Sequence, residues 1–503
     1  MASDAANGAP YPKTTVLILG AGVSGIAAAK ALSERSISNF IIVDRNDYIG
    51  GRMRKSEFGK ERDGRAPWTV EMGANWVQGL HTREGKENPV WSLAKKHKLQ
   101  TSPFDFFRGK AYTRGGPIDV KSLDDKYLQA EQTARAFALD TLRAGGPDMN
   151  VRAALGEYGW TAAPGDAKAA LIDWCRVDWE TGVPPEQTSS LDFYTHFERY
   201  EKDEELIASE SNNRFAHDER GFGVWLQNEA SEFLKKDNSQ LRLNAVVESV
   251  CYGDTGVTAT FEDGSTISAD YAICTFSIGV LQHDLVAFHP PFPAWKRSSI
   301  QAFTMGTYTK LFLQFPSDIS SWWPDDSDLI LYADPFERGK FPVWQSLNHN
   351  FPGSNIVFTT ATAPLSYRLE AQSDSETLAE VMSVLRSMFP DKEIPNPCDF
   401  TYPRWSLDPS SMGSYSNWPP AFTVRQHRNV CQELGRLFFA GEACSAEFNG
   451  FLHGAWHSGD DVGRHVRRLV KKEQNRRGAS SRVNESLSAV SDTRHTLRLR
   501  PHL

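Results

Sequence analysis

Five hundred and three residues are too many for one compact core, so two domains are expected. The composition is 40% hydrophobic and 11% aromatic, and no stretch approaches the roughly 20 apolar residues that cross a bilayer, which excludes a membrane-spanning chain. The formal charge is uneven: the segment from Lys471 onward carries a local +5 that, set against the total of −8, leaves −13 on residues 1–470, a body that disfavours nucleic acid and attracts small cations.

Residues 1–12 read as a flexible leader, small and polar and without an apolar signal region, so secretion is not supported by the sequence as it stands. Thr15–Leu19 reads as a strand, Ser24–Ser33 as an alanine-rich helix and Phe40–Asp44 as a second strand, a βαβ unit. Gly-rich connections run to about Trp68, followed by mixed segments rich in Trp and Phe. Residues 147–186 and 191–210 read as largely helical. From Leu241 the pattern turns to strands: LRLNAVVESV, GVTATF and STISADYAICTF, separated by DTG and EDG turns. TYTKLFLQF and SNIVFTTAT are further strand candidates, Ser375–Met388 and Gly459–Val470 are helical, and the Ser/Arg-rich tail beyond is expected to be disordered.

This order predicts an α/β protein whose Rossmann-like dinucleotide-binding domain is discontinuous, built from residues 13–92, 213–294 and 425–470. Residues 93–212 and 295–424 would form a mixed α+β substrate-binding domain, with 471–503 as a basic tail. The six cysteines show no C-x-x-C spacing, so neither a zinc site nor a disulfide framework is expected, and the histidines form no metal-binding pattern.

The chemistry begins at Gly20-Ala-Gly22-Val-Ser-Gly25, between the first strand and the helix it opens. Gly20 permits the tight turn, Gly22 lets a pyrophosphate approach the positive helix N-terminus, and Gly25 lets helix and strand pack closely. Asp44, at the end of the next strand, is placed to hydrogen-bond a ribose hydroxyl. The motif alone does not separate nicotinamide from flavin cofactors, and Arg45 would suit the 2′-phosphate of NADP. The continuation Tyr48-Ile-Gly50-Gly51-Arg52 adds backbone amides and a guanidinium for a pyrophosphate.

The run from Asp44 to Arg52 resembles the extended FAD fingerprint of the monoamine oxidase and polyamine oxidase family, and matches along nearly the whole chain point most closely to plant and fungal polyamine oxidases. Glu71-Met72-Gly73-Ala74-Asn75-Trp76 is similar to the family segment passing the flavin ring, and Leu243 to Val250 to the strand that meets the adenine at Val247. Phe439-Ala440-Gly441-Glu442 and Asn449-Gly450-Phe451 resemble the C-terminal FAD segment, with Glu442 at the ribityl chain; His453 belongs to the same motif. Gly306-Thr307-Tyr308-Thr309-Lys310 and Arg404-Trp405 match further family segments.

The resemblance implies an amine oxidase that transfers hydride from the carbon next to nitrogen to flavin N5, with O2 reoxidising the flavin to give H2O2. It implies Lys310 as the catalytic lysine that holds a water at N5, and Tyr415 and Phe451 as the aromatic pair flanking the reacting carbon. Phe451 stands where plant members commonly carry Tyr. Ser414 replaces the cysteine that bonds the flavin in monoamine oxidases, so FAD is expected to be noncovalent. Polyamine ammonium groups would meet Glu180, while Gln78 stands where plant enzymes have a second carboxylate.

Alternatives are a monoamine or L-amino acid oxidase of the same fold, with Arg404 aimed at a substrate carboxylate, or an oxidase of a specialised-metabolite amine. A histone demethylase of the family lacks support, since no adaptor domain or long antiparallel insertion is evident. The expected state is a monomer or weak dimer without nucleic-acid or membrane partners. Pro501-His502-Leu503 loosely resembles a peroxisomal tripeptide, so a cytoplasmic or peroxisomal location is expected.

Overall fold

The computed structural model describes residues 13–34, 37–60, 67–81, 85–103, 109–198, 213–237, 239–324 and 327–496; the leader and the C-terminal tripeptide lie outside them. The opening βαβ unit forms as its pattern requires: β1 (Thr14–Leu19), α1 (Val23–Ser33) and β2 (Phe40–Val43), with β1 and β2 parallel. Both strands are apolar runs without alternation because both sheet faces are covered. β1 also pairs in parallel with β3 (Thr266–Cys274), the centre of an eight-stranded sheet. Val257–Phe261 and Val247–Tyr252 continue that sheet antiparallel, and Leu437–Phe439 joins β3 in parallel from far downstream in the chain. The α/β expectation is borne out.

α1 buries nine of its eleven residues. One side lies on the sheet and the other against the long C-terminal helix that begins at Leu452, so small side chains are required all round. A second sheet of seven strands is built around β4 (Tyr308–Gln314), flanked by Ile356–Thr362 and Asp399–Thr401. Between the sheets in sequence lie Lys121–Ala144, Val151–Glu157, Ala167–Asp173 and Ser190–Glu198, a helical group.

The structure differs from the sequence reading in three places. The 24-residue helix Lys121–Ala144 was not expected: its buried stripe is Tyr127, Ala130, Ala134 and Ala138, and alanines give a hydrophobic period of low contrast. Residues 147–186 are not one helical run. Gly159 and Gly165, both at positive φ, break it, and it ends in a π-helical turn, Trp174–Asp178, that runs into the short helix Trp179–Thr181. The last helix is longer than Gly459–Val470. After α2 (Val424–Cys431), α3 runs Leu452–Thr496, through most of the segment expected to be disordered. Near its middle Glu473 pairs with Arg436 at 2.6 Å, tying that stretch to the body.

α3 crosses α1 at backbone distance. A Cβ added at Gly459 would lie 2.1 Å from the carbonyl oxygen of Ser24, and one at Gly463 would lie 2.6 Å from that of Ala28. Glycines one helical turn apart therefore set this crossing. No helix among the described residues is long and apolar enough to cross a membrane.

Candidate active site

A cavity of about 1520 Å³ runs from the tip of the βαβ unit to the second sheet. At one end the glycine motif performs the packing expected of it. Gly20 has φ +115°, and a Cβ there would lie 2.3 Å from Thr275 Oγ1; at Gly25 it would lie 1.9 Å from the Gly20 oxygen. Gly25 is thus a packing residue and does not line the cavity, whereas Gly22, with open space where a Cβ would stand, does. Gly51, at φ +57°, sits 3.4 Å from the Gly22 Cα by the same construction, so the second glycine pair stacks on the first. Asp44 is half-buried and closes the turn, accepting from Ala21 N–H at 2.7 Å and Asn46 N–H at 2.8 Å; burial nevertheless raises its pKa. Arg45, which donates to the Pro409 carbonyl at 3.2 Å, and Val247 line the same end.

Further along, Arg52 and Glu442 form a 2.8 Å ion pair, and Arg52 also donates to the Ser414 carbonyl at 3.0 Å. Glu442 is buried and heavily solvated by protein: Ser416 Oγ donates at 2.6 Å and Gly450 N–H at 2.8 Å. Gly441 (φ +148°) and Gly450 (φ +81°) adopt backbone conformations that side chains disfavour, which turns this strap toward the cavity. Gly73 lies so close to the Arg52 carbonyl that a Cβ would fall at 1.7 Å, and Ala74, Asn75, Trp76 and Trp405 complete the wall.

Two buried polar atoms facing this cavity have no partner among the described residues: Ser24 Oγ in the first turn of α1 and Asn449 Oδ1 beside the Glu442 strap. Unpaired buried polar atoms are costly, and their place at the two ends of a long cleft fits a bound dinucleotide with a phosphate at the helix N-terminus. Neither was singled out from the sequence, although both fall inside quoted motifs.

Lys310 stands on β4 and is 1% exposed. It does not line the cavity; it lies directly behind the wall, donating to Asn75 Oδ1 at 3.0 Å with its ammonium 5.4 Å from the Trp76 ring centroid. Burial lowers its pKa, opposed by the charge of Glu71. Burial raises that of Glu71, whose Oε1 accepts from Phe222 N–H at 2.6 Å and whose Oε2 has no partner among the described residues. Each of the two is thereby biased toward its neutral form. Glu71 appeared in the sequence only as the start of a motif.

Another wall of the cavity gathers Tyr308, Tyr415, Phe451, Gln78 and Glu180. Tyr308 and Tyr415 rings lie 6.3 Å apart, and the Tyr308 hydroxyl accepts from Trp179 Nε1 at 2.7 Å. Ser414 is engaged already: its hydroxyl accepts from Tyr308 N–H at 2.8 Å. Glu180 follows the π-helical turn, which is clamped from behind by Arg338 bridging buried Asp173 and Asp178 at 2.6 and 2.7 Å. Its side chain opens into the cavity, and burial alone raises its pKa to about 7. Arg404 is not part of this wall. It pairs with Asp374 at 2.7 Å and donates to the carbonyls of Glu370 and Gln372, which removes it as the reader of a substrate carboxylate.

Residues 23–466 match the model of a family described as flavin containing amine oxidoreductase. The chain is 36% identical to polyamine oxidase 7 of Oryza sativa subsp. japonica, over 88% of this chain and 93% of that one. It is also 36% identical to polyamine oxidase 1 of Zea mays, over 89% of each chain. Among solved structures, wild-type putrescine oxidase bound to putrescine superposes with a TM-score of 0.69 at 17% identity, covering 91% of this chain and 99% of that one.

Proposed function

The chain belongs to the family of flavin-containing amine oxidoreductases and is an FAD-dependent oxidoreductase acting on amines, and from that premise we propose that it oxidises polyamines, spermine or spermidine or their acetyl forms. The observation that carries this reading is Glu180, a carboxylate paired with no cation among the described residues, opening into an aromatic-walled cavity. A carboxylate held there at a cost in solvation is a site awaiting a cation, and a polyamine carries several.

Gly22, Ser24, Asp44, Arg45, Gly51, Arg52, Val247, Trp405, Gly441 and Glu442 would hold the FAD, with Gly20, Gly25, Gly73, Ala74 and Gly450 shaping the backbone around it. FAD supplies the hydride acceptor and its reoxidation by O2. The chain's own residues do the rest. Tyr415, Tyr308 and Phe451 confine the aliphatic amine by apolar contact and, where it is charged, by cation–π attraction. Glu180 anchors an ammonium away from the reacting carbon. Gln78 accepts a hydrogen bond from the substrate without adding charge. Lys310, biased toward neutrality, holds a water together with Asn75 and Trp76 and accepts a proton from it. The burial of this wall keeps bulk water from the reacting carbon.

Substrate choice is tested by anaerobic mixing of the protein with spermine, spermidine, their acetyl forms, benzylamine and amino acids, following loss of flavin absorbance. Bleaching by polyamines is the expected result. Bleaching by benzylamine or amino acids alone would overturn the substrate assignment and leave the fold and flavin chemistry standing. The assignment extends to a monomer or weak dimer in the cytoplasm or peroxisome, with residues 13–92, 213–294 and 425–470 as the FAD-binding unit and residues 93–212 and 295–424 as the substrate-binding unit.

A further inference from the structure

Behind the Glu442 strap lies a second chemical cluster that the amine reaction does not use. Cys431 ends α2 and Cys444 ends the short turn Glu442–Cys444; both are free thiols of intermediate exposure. Cys431 Sγ donates to the Cys444 carbonyl oxygen at 3.7 Å, which brings its sulfur up against the backbone of Cys444. His427, one turn earlier on α2, brings Nε2 to 3.7 Å from Cys431 Sγ and hydrogen-bonds the Ala443 carbonyl at 3.1 Å, so the ring is fixed between the two segments. Lys296, fully buried, donates to the carbonyls of Val430 at 2.6 Å and Gln432 at 2.8 Å and sits 3.5 Å over the Phe439 ring. A buried ammonium at the C-terminal end of α2 is held in place there by the helix dipole and carbonyls, and its charge favours a thiolate at either sulfur.

The thiol of Cys431 is held well below its ordinary range, first by the hydrogen bond from Cys444 and then by His427, while Cys444 is held above its own. That is the division of labour of an attacking and a resolving thiol. A void of about 10 Å³, lined by Cys444, Cys274 and Val430, shares Arg52, Phe276, Ser277, Gly441 and Glu442 with the main cavity. Cys444 therefore sits one layer of side chains behind the proposed flavin cleft.

We propose that Cys431 and Cys444 form a peroxide-reactive dithiol, converted to a disulfide by hydrogen peroxide. The Cys431 thiolate attacks one peroxide oxygen; the S–O bond forms, the O–O bond breaks, and hydroxide leaves. The Cys444 sulfur, giving up its proton, then attacks the Cys431 sulfur; the S–S bond forms, the S–O bond breaks, and the oxygen departs as water. Two thiols and one peroxide become one disulfide and two waters, with the sulfurs oxidised and the peroxide reduced. The resulting bridge ties α2 to the strap that carries Glu442. Only the source of the peroxide rests on the function proposed above.

The test uses the full-length FAD-loaded protein and a few equivalents of added hydrogen peroxide without amine, followed by alkylation under acid conditions and peptide mass mapping. The expected result is a linked peptide pair containing Cys431 and Cys444, lighter by two hydrogens and restored by dithiothreitol, while exposed Cys251 is recovered alkylated. In Cys444→Ser, Cys431 should instead be trapped by dimedone as its sulfenic acid. Recovery of Cys431 and Cys444 as free alkylated thiols, whatever becomes of the other four cysteines, would overturn the proposal, as would dimedone on another cysteine in Cys444→Ser. Replacing added peroxide by polyamine and oxygen, with and without catalase, checks the source separately. A bridge formed with added peroxide but not with turnover faults the amine reading and leaves the dithiol intact.

Discussion

Replacing Glu180 by Gln should make the protein more stable and a worse catalyst at once. The carboxyl has its pKa raised from 4.5 to about 7 by burial alone. Across that window the folded protein keeps a proton that the unfolded chain has released, so stability falls as pH rises from 4.5 to 7 and stays reduced above it. At 1.36 kcal/mol per pH unit the wild type loses about 3 kcal/mol by pH 8, and an isosteric amide does not. For a chain of this length, with unfolding entropy near 2.1 cal/mol/K per residue, that is a Tm gain of about 3 °C at pH 8 and essentially none at pH 4. The lost charge-assisted contact should raise KM for spermidine roughly 10- to 150-fold, corresponding to about 1.5–3 kcal/mol, with kcat little changed and benzylamine oxidation unaffected. Thermal scans of the FAD-loaded protein at both pH values and steady-state kinetics read the two effects. Equal Tm values at pH 8, or an equal KM penalty for benzylamine, would refute the picture of an unpaired carboxylate waiting for an ammonium.

Lys310→Met should slow flavin reduction by about 10²-fold while FAD stays bound, read by anaerobic stopped flow; unchanged reduction would end the role given to Lys310. Acid or heat denaturation should release free flavin into the supernatant, because Ser414 offers no thiol and its hydroxyl is already bonded to Tyr308; flavin that stays with the precipitate would contradict this. Gly459→Ala should cost about 1–3 kcal/mol and lower FAD retention, since its Cβ must push α3 off Ser24. Unfolding midpoints and bound-flavin ratios equal to wild type would show that the crossing is not close-packed.

The cofactor end of the molecule was legible because its constraints are local. Gly20 and Gly25 each answer a steric demand within one strand–turn–helix, Gly22 leaves the cavity open beside them, and Asp44 directly follows the next strand, so spacing alone places them. The substrate end depended on resemblance. Glu180 and Tyr308 lie far apart in the chain and meet because a π-helical turn and β4 converge, and no period in either segment announces that. Lys310 shows the limit most clearly: period two put it on the face of Tyr308, but its seat behind Asn75 and Trp76, paired electrically with Glu71, depends on a third segment. Arg404 illustrates the converse, a plausible anion reader whose donors are consumed by Asp374 and two carbonyls. The Cys431–Cys444 pair was read only as an absence of C-x-x-C, since twelve intervening residues hide a contact made by a helix end and a tight turn.

The crossing of α1 by α3 also sets a timetable. Arg467 donates to the Ala31 carbonyl across 436 residues of chain. At about 5–20 residues per second, a ribosome needs roughly 20–90 s between making those two ends. Throughout that interval the finished βαβ unit exposes the alanine face that its partner helix will cover. The cell must therefore shelter an almost complete nascent chain, and a supply of FAD cannot hasten the closing step, which waits on translation itself.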